Sequence, residues 1–278
     1  MKFGPVLTAV LLLAATPAAA ERLETFNNRL FVPAELNGEP IIALLDSAAE
    51  MTVLDDDLAA RLGLVPVGSA TAHGSGAGHV EARFAGHVRV EVTGVSLELT
   101  VAILDLGEVS SRLLGRPVDM LLGRELFDNA RLRIDIAGGT IALVDAVPEG
   151  AVRLTVAEHR GTPTIPAVIE GSGPVAAVFD LGNGSEVMVG GALAERIGLT
   201  SAERIVERRS GGGIGGVRDR DIVTLRNLSL AGREFRGVPA AIDPGETASD
   251  LNLGTSILRH FIITTDFAER AIWLEPRE

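Results

Sequence analysis

Short apolar runs broken by glycine, proline or polar turns mark this chain, and the runs come in pairs. Ala43-Leu-Leu leads into Asp46, Ser47, Ala48 and then Thr52-Val-Leu, and Ala177-Val-Phe leads into Asp180, Leu181, Gly182 and then Val187-Met-Val. Each predicts a buried strand that ends on a carboxylate. Downstream, Asp55 to Leu64 reads DDDLAARLGL and Gly190 to Leu199 reads GGALAERIGL. Both segments predict a short helix. Asp55 or Gly190 serves as the N-terminal cap, and Gly63 or Gly198 ends the helix in the left-handed conformation.

A second block repeats more tightly. Leu121 to Leu143 parallels Asn252 to Leu274, and Gly123 with Gly254, Asp135 with Asp266 and Leu143 with Leu274 are each 131 residues apart. A constant offset means that no residue has been inserted within the block. It predicts a glycine-led helical turn, a strand, a tight turn at Ala137-Gly-Gly-Thr or Ala268-Glu-Arg-Ala, and another strand. Each half also carries a glycine-rich stretch between its two blocks, His73-Gly-Ser-Gly-Ala-Gly and Ser210-Gly-Gly-Gly-Ile-Gly-Gly. The pattern breaks at Pro148 and Gly150, which sets lobe boundaries of residues 21–147 and 148–278.

The first twenty residues stand outside this pattern. Lys2, an apolar stretch from Val6 to Ala15, Pro17 and the small residues Ala18, Ala19 and Ala20 have the layout of a signal peptide over residues 1–20, cleaved after Ala20. Export to a periplasm or to the medium is the expectation. No later segment reaches the roughly 20 apolar residues of a membrane span, so no membrane anchor is expected in the mature form.

Composition narrows the partners. Lys2 is the only charged residue that cleavage removes, so the formal net charge moves from −12 to −13. Such an acidic chain has no basic patch for phosphate backbones, which argues against nucleic acid. Cysteine is absent, so neither disulfides nor thiolate metal sites are available, and stability must come from packing. A hydrophobic fraction of 46% with 32 glycines suits many short strands joined by tight turns.

An aspartate that ends a buried strand needs a reason, because an ionised carboxylate there is costly unless it is paired, hydrogen-bonded or protonated. Taken alone, Asp46 and Asp180 fit either a polar turn or a site. The run of apolar residues, Asp-Ser-Ala, Thr-Val-Leu, short helix and Arg-Leu-Gly-Leu, followed by the Leu-Leu-Gly block, resembles retropepsin-like aspartic proteases. The resemblance covers most of residues 28 to 144 and, more loosely, 152 to 275. It implies a mostly β, two-lobed fold of acid-protease-like β-barrel halves with short helices, related by a pseudo-twofold axis, both halves lying in one chain as in pepsin-like enzymes.

The resemblance also implies a role for each part. Asp46 and Asp180 would meet as a catalytic dyad that shares one proton and holds a water. One carboxylate removes a proton from the water as it attacks a peptide carbonyl, and the other donates to the carbonyl oxygen, so no metal or cofactor is needed. Glycine-rich flaps would close over the cleft, with Gly74, Gly76 and Gly78 in the first half and Gly211, Gly212 and Gly213 in the second. The expected partner is a peptide or protein substrate, and the chain is expected to be an exported endopeptidase acting as a monomer.

The family motif is Asp-(Thr/Ser)-Gly in both halves, and neither copy here matches it fully. Ala48 replaces a glycine, adding one methyl. Leu181 replaces a hydroxyl, which is expected to leave a group across the interface unsatisfied at a cost of roughly 1 to 3 kcal/mol unless Asn183 or Ser185 compensates. Leu181 is the feature that favours the alternative, a non-catalytic two-lobed peptide-binding relative.

Other motifs carry less. Gly211-x-Gly213-x-x-Gly216 matches a dinucleotide fingerprint but lacks a following helix. His73, His79 and His87 do not have the spacing of a metal site, and no Gly-x-Ser-x-Gly elbow occurs. Asp135 and Asp266, which recur as a pair before a turn, read as structural. Asn183-Gly-Ser and Asn227-Leu-Ser fit the N-glycosylation pattern.

Overall fold

The computed structural model describes residues 20–277, so the export signal expected over residues 1–20 lies outside the described residues apart from Ala20. The chain is mostly β and has two lobes with the same strand order. In the first lobe, an eight-stranded sheet runs Glu24–Phe26, Arg29–Leu36, Glu39–Leu45, Met120–Leu122, Val53–Asp55, Val95–Leu104, His79–Val92, Gly68–His73. In the second, it runs Ala157–His159, Thr162–Ile169, Val175–Phe179, Leu251–Leu253, Val187–Gly190, Arg233–Asp243, Gly216–Leu230, Ile205–Gly213.

Each sheet bends back on itself. Glu35 and Leu36 pair with Glu91 and Val90, and Val168 and Ile169 pair with Ser229 and Leu228, which joins distant strands and curls each lobe towards a barrel. Inside the curl lie alternating apolar side chains such as Leu30, Val32, Val88 and Val90 in the first lobe and Ile165, Leu225, Leu228 and Leu230 in the second, all buried. His87 is placed by a bulge: the register shifts between Ala85 and Val88, His87 takes a φ of 58°, and its exposed ring meets Glu98.

A six-stranded antiparallel sheet joins the lobes, in the order Glu21–Arg22, Thr140–Leu143, Leu132–Asp135, Phe261–Asp266, Ala271–Pro276, Val152–Thr155. At its centre Arg133 pairs with Thr264, its own counterpart at the 131-residue offset. A residue facing its repeat copy across an antiparallel pair marks the position of the pseudo-twofold axis. Asp135 and Asp266 each accept a backbone N–H in the following turn, from Gly138 at 2.7 Å and Glu269 at 2.9 Å. Arg131 reaches across to Asp266 at 2.9 Å, and Arg277 pairs with Asp135, so the structural reading of these aspartates holds.

The short helices fall where their caps place them. Asp56–Arg61 starts at Asp55, whose carboxylate accepts from Asp57 N at 3.1 Å, and Gly63 follows at a φ of 66°. Gly191–Arg196 starts at Gly190 and is followed by Gly198 at a φ of 73°. One helical segment has no copy in the second lobe. Gly107–Val109 continues as a π-helical turn over Ser110–Leu114, closed by Gly115 at a φ of 71°. The corresponding stretch between Asp243 and Leu251 is shorter and carries no helix.

Candidate active site

Asp46 and Asp180 leave the ends of equivalent strands, Glu39–Leu45 and Val175–Phe179. Each strand runs parallel to the first strand of its glycine-led block, and each aspartate continues the pairing by one bond. Asp46 N donates to Leu122 O at 3.0 Å, and Asp180 N donates to Leu253 O at 3.1 Å. The apolar run ahead of each carboxylate is therefore its anchor: Ala43, Leu44 and Leu45, like Ala177, Val178 and Phe179, are buried.

The loops after them fold alike. Asp46 Oδ1 accepts from Ala48 N and Ala49 N, both at 3.0 Å, and Asp180 Oδ1 accepts from Gly182 N and Asn183 N, both at 2.9 Å. Two backbone donors hold each carboxylate in one orientation and favour its ionised form. The two loops are also in contact. A Cβ on Gly182 would lie 2.4 Å from Asp46 Cγ and 2.6 and 2.8 Å from its two oxygens, so residue 182 must be glycine for the loop of one lobe to reach the carboxyl of the other. Ala48, at the corresponding position in the first loop, carries its methyl.

Ser47 ties the loops together from one side. Its buried hydroxyl donates to Phe179 O at 2.8 Å and accepts from Leu181 N at 3.0 Å. Leu181 offers no return contact and is instead fully buried in the main core cluster. Asn183 and Ser185 do not compensate. The Asn183 amide donates to Glu186 O and Asn252 Oδ1, and Ser185 N donates to Asn183 Oδ1, all within the second lobe. Asn183 is thus engaged through the nitrogen that a glycan would modify.

Further ties flank the loops symmetrically. Thr255 Oγ1 donates to Asn28 O at 2.6 Å, and Arg124 Nη1 donates to Gly161 O at 2.7 Å. Thr255 and Arg124 stand 131 residues apart, so both glycine-led turns brace the opposite lobe.

The two carboxyls have different electrostatic surroundings. Burial and the neighbouring Asp180 push Asp46 up to about 7, against the backbone donors of Ala48 and Ala49 and the Arg29 guanidinium. Asp180 is also raised by burial, but Asn252, whose Nδ2 donates to Asp180 Oδ2 at 2.6 Å, works against the rise. The residue at the Asn252 position in the first lobe is Leu121, so only one carboxyl has a side-chain amide. Arg29 provides a second asymmetry. Its positive charge acts on both carboxyls, its counterpart in the second lobe is Thr162, and among the described residues it makes no ion pair within 4 Å. Asn252 and Arg29 were missed by sequence reasoning, although a polar residue where the repeat has leucine is a usable signal.

The glycine-rich stretches are hairpin tips that meet each other. Gly76 N donates to Ile214 O at 3.0 Å, and Gly78 N donates to Gly215 O at 2.7 Å. Gly74, Gly76 and Gly78 lie on or beside the first tip. Gly211, Gly212 and Gly213 form the strand leading to the second. Cβ atoms on Gly74 or Gly76 would stand 2.3 to 2.7 Å from Ile214 or Gly215, so glycine permits the contact. Ile214 packs against the small apolar cluster of the first lobe that includes Leu44 and Leu121, which places the tip beside the strand that carries Asp46. Arg112, from the unduplicated helical segment, donates to Gly211 O at 3.2 Å and Gly213 O at 3.3 Å.

Other sequence candidates stay apart from this centre. His73 and His79 face each other across the first flap, with ring centroids 5.4 Å apart. Asp55, Asp56 and Asp105 converge elsewhere, but Asp55 already accepts from Asp57 N and Leu106 N, and Asp105 from Gly107 N. The Gly211-x-Gly213-x-x-Gly216 run forms a β-hairpin and carries no helix.

Parts of this chain are similar to known proteins. DNA damage-inducible protein 1 of Kluyveromyces lactis is 26% identical over 172 residues, covering 59% of this chain and 38% of that protein. The protein of the same name from Cryptococcus neoformans is 28% identical over 122 residues, covering 43% of this chain and 27% of its own. The matches thus span well under half the length of these relatives. A retropepsin-like aspartic protease from Rickettsia conorii, whose crystal structure is known, aligns over 44% of this chain and 89% of its own, with 20% identity and a TM-score of 0.36. Residues 32–126 and 165–257, one segment from each lobe, both match the family described as Aspartyl protease, and the chain belongs to that family.

Proposed function

We propose that this chain is an exported aspartic endopeptidase in which Asp46 and Asp180 share one proton and activate a water for attack on a peptide bond. The observation that carries the reading is the equivalence of the two carboxyls. They sit on matching loops, each fixed by two backbone donors, and burial raises both above the usual carboxylate range.

Two such groups close together do not ionise at the same pH, because the first charge opposes the second. Between the two steps one carboxylate is free to take a proton from water, and the other carboxyl has a proton to give to the carbonyl oxygen. The dyad titrates as a unit, so the acid and base roles belong to the pair. An extended substrate would lie between the lobes, pairing its backbone with the flaps, and both halves of the cleft come from one chain, which fits a monomer. Neither a metal nor a cofactor is required by this chemistry.

The test compares the mature protein with Asp46→Asn and Asp180→Asn on a denatured protein substrate from about pH 3 to 8, bracketing the dyad's range. Cleavage by the wild type that is lost in both variants supports the dyad. Unchanged cleavage in either variant, or none in the wild type, removes it and leaves the peptide-binding alternative, which Leu181 favours. Export has its own test: sequencing the N-terminus of the secreted form should give Glu21, and an intact Met1 would refute it.

A further inference from the structure

An open cavity of about 670 Å³ lies between the flap and the body of the second lobe. Phe235, Val238 and Ile257 give it apolar walls, and Asn28 and Leu113 reach it from the first lobe. Asp46 and Asp180 are not among its lining residues, whereas three arginines are, in a protein of net charge −12.

Two of these arginines are neutralised locally. Arg209 pairs with Glu186 and Glu207, and Arg236 pairs with Glu234 at 3.0 Å. Arg220 is different. It is 8% exposed, its Nε is buried with no hydrogen-bond partner among the described residues, and the hydrogen bond it makes runs from Nη2 to Ser75 O at 2.9 Å. The nearest carboxylate, Asp243, lies 3.8 Å away, beyond hydrogen-bond range, and is shared with Arg218 at 3.9 Å. Asp243 Oδ1 already accepts from Gly245 N at 3.0 Å. Glu186, which also lines the cavity and acts on Arg220 from a distance, is already paired with Arg209, so Arg220 stands beside the open cavity with no carboxylate within hydrogen-bond range among the described residues. A buried cation without a matched anion is costly. The flap strand opposite leaves room at this point, since a Cβ on Gly211 would come within 3.1 Å of Arg220 Nη1.

We infer that this cavity is a substrate subsite for a carboxylate, held by Arg220, so that the enzyme selects acidic peptides. The inference rests on the peptide-binding cleft proposed above, and it does not depend on cleavage. The carboxylate belongs either to an Asp or Glu side chain or to a peptide's C-terminus. Charge-assisted contacts of this kind favour a carboxylate over its amide by about tenfold or more.

The probes are fluorescein-labelled octapeptides of Ala, Val, Leu and Phe, with one glutamate moved through the eight positions. Each is paired with its glutamine counterpart and made with a free or amidated C-terminus. Binding is read by anisotropy on the full-length mature Asp46→Asn protein, and cleavage of the same peptides on the wild type. The expected result is about tenfold tighter binding of the glutamate peptide at one position, or of the free C-terminus. The ratio should fall to near one when Arg220→Gln is added and persist with Arg220→Lys. A residue that only braces the flap would weaken both members of a pair alike and leave the ratio unchanged, which would overturn the assignment to Arg220. Equal binding of every pair by Asp46→Asn overturns the subsite outright, whether or not those variants fold. Preference without cleavage keeps the subsite and removes the peptidase. Cleavage without preference does the reverse.

Discussion

The hydroxyl of Ser47 lies between Phe179 O and Leu181 N, donating to one at 2.8 Å and accepting from the other at 3.0 Å, and so bonds the first lobe's loop to both sides of Asp180. With Leu181 offering nothing in return, this hydroxyl tie is made from one side only. Ser47→Ala leaves a buried carbonyl and a buried amide without a partner and is expected to cost about 1 to 3 kcal/mol. Thermal unfolding should show the loss, and kcat should fall with it as the loops lose their alignment. Ser47→Thr, which keeps the hydroxyl, should restore most of both, and a wild-type melting temperature in Ser47→Ala would contradict the assignment.

Asn252 acts on one carboxyl of the pair. Its amide favours ionised Asp180, so Asn252→Leu, which copies the first lobe's Leu121, should raise the pH at which that carboxyl ionises. The acid limb of the kcat/KM profile is expected to move to higher pH. An acid limb that stays in place would show that Asn252 positions the loop without tuning it.

Asp46 links the site to stability. In the unfolded chain its carboxyl ionises near 4, and in the folded protein near 7. Below about pH 4 both states hold the proton, and no penalty arises. As pH rises from 4 to 7 the unfolded state releases its proton first, so folding stability falls across that window. Asp46→Asn removes the effect and should be more stable than the wild type at pH 8, by up to about 4 kcal/mol and with a higher melting temperature, the difference vanishing at pH 3. A difference independent of pH would rule out this origin.

Gly182 lies against the carboxyl of Asp46, where a methyl would stand 2.4 to 2.8 Å from its atoms. Gly182→Ala is expected to abolish cleavage and to lower the melting temperature by separating the loops. Ala48→Gly should be nearly neutral to activity. Equal activity in Gly182→Ala and the wild type would mean that the loops do not approach as described.

Arg112 braces the second flap through Gly211 O and Gly213 O. Arg112→Ala should speed amide exchange across residues 210–217 and change KM more than kcat. Unaltered exchange in that hairpin would remove the brace.

The sequence made the duplication legible because spacing survives where identity does not. The 131-residue offset, the helix caps at Asp55 and Gly190 and the left-handed glycines at Gly63 and Gly198 all follow from local chemistry. The aspartates were legible because a carboxylate after a buried strand is a conflict that needs resolving. Arg29 was not, since its effect on the two carboxyls arises from the way the strand Arg29–Leu36 passes the loops, and nothing in its neighbours signals that approach. The helical segment at 107–114 was missed for a related reason: it has no copy in the second half, so the repeat is silent about it. The consequence of Leu181 was only half legible. Its lack of a hydroxyl could be read directly, but the one-sided tie made by Ser47 depends on the separation of two loops 134 residues apart.

The pairing of Arg133 with its own repeat copy bears on dilution. The edge that Leu132–Asp135 presents to Phe261–Asp266 is the edge that two identical halves would present to one another. Joined in one chain, the halves find each other at an effective concentration on the order of millimolar, set by the tether and not by the amount of protein present. A dyad assembled from separate halves would come apart once the protein was diluted below the dissociation constant of the pair. The covalent join makes the approach of the Asp46 and Asp180 loops independent of concentration, which would suit the exported enzyme proposed above.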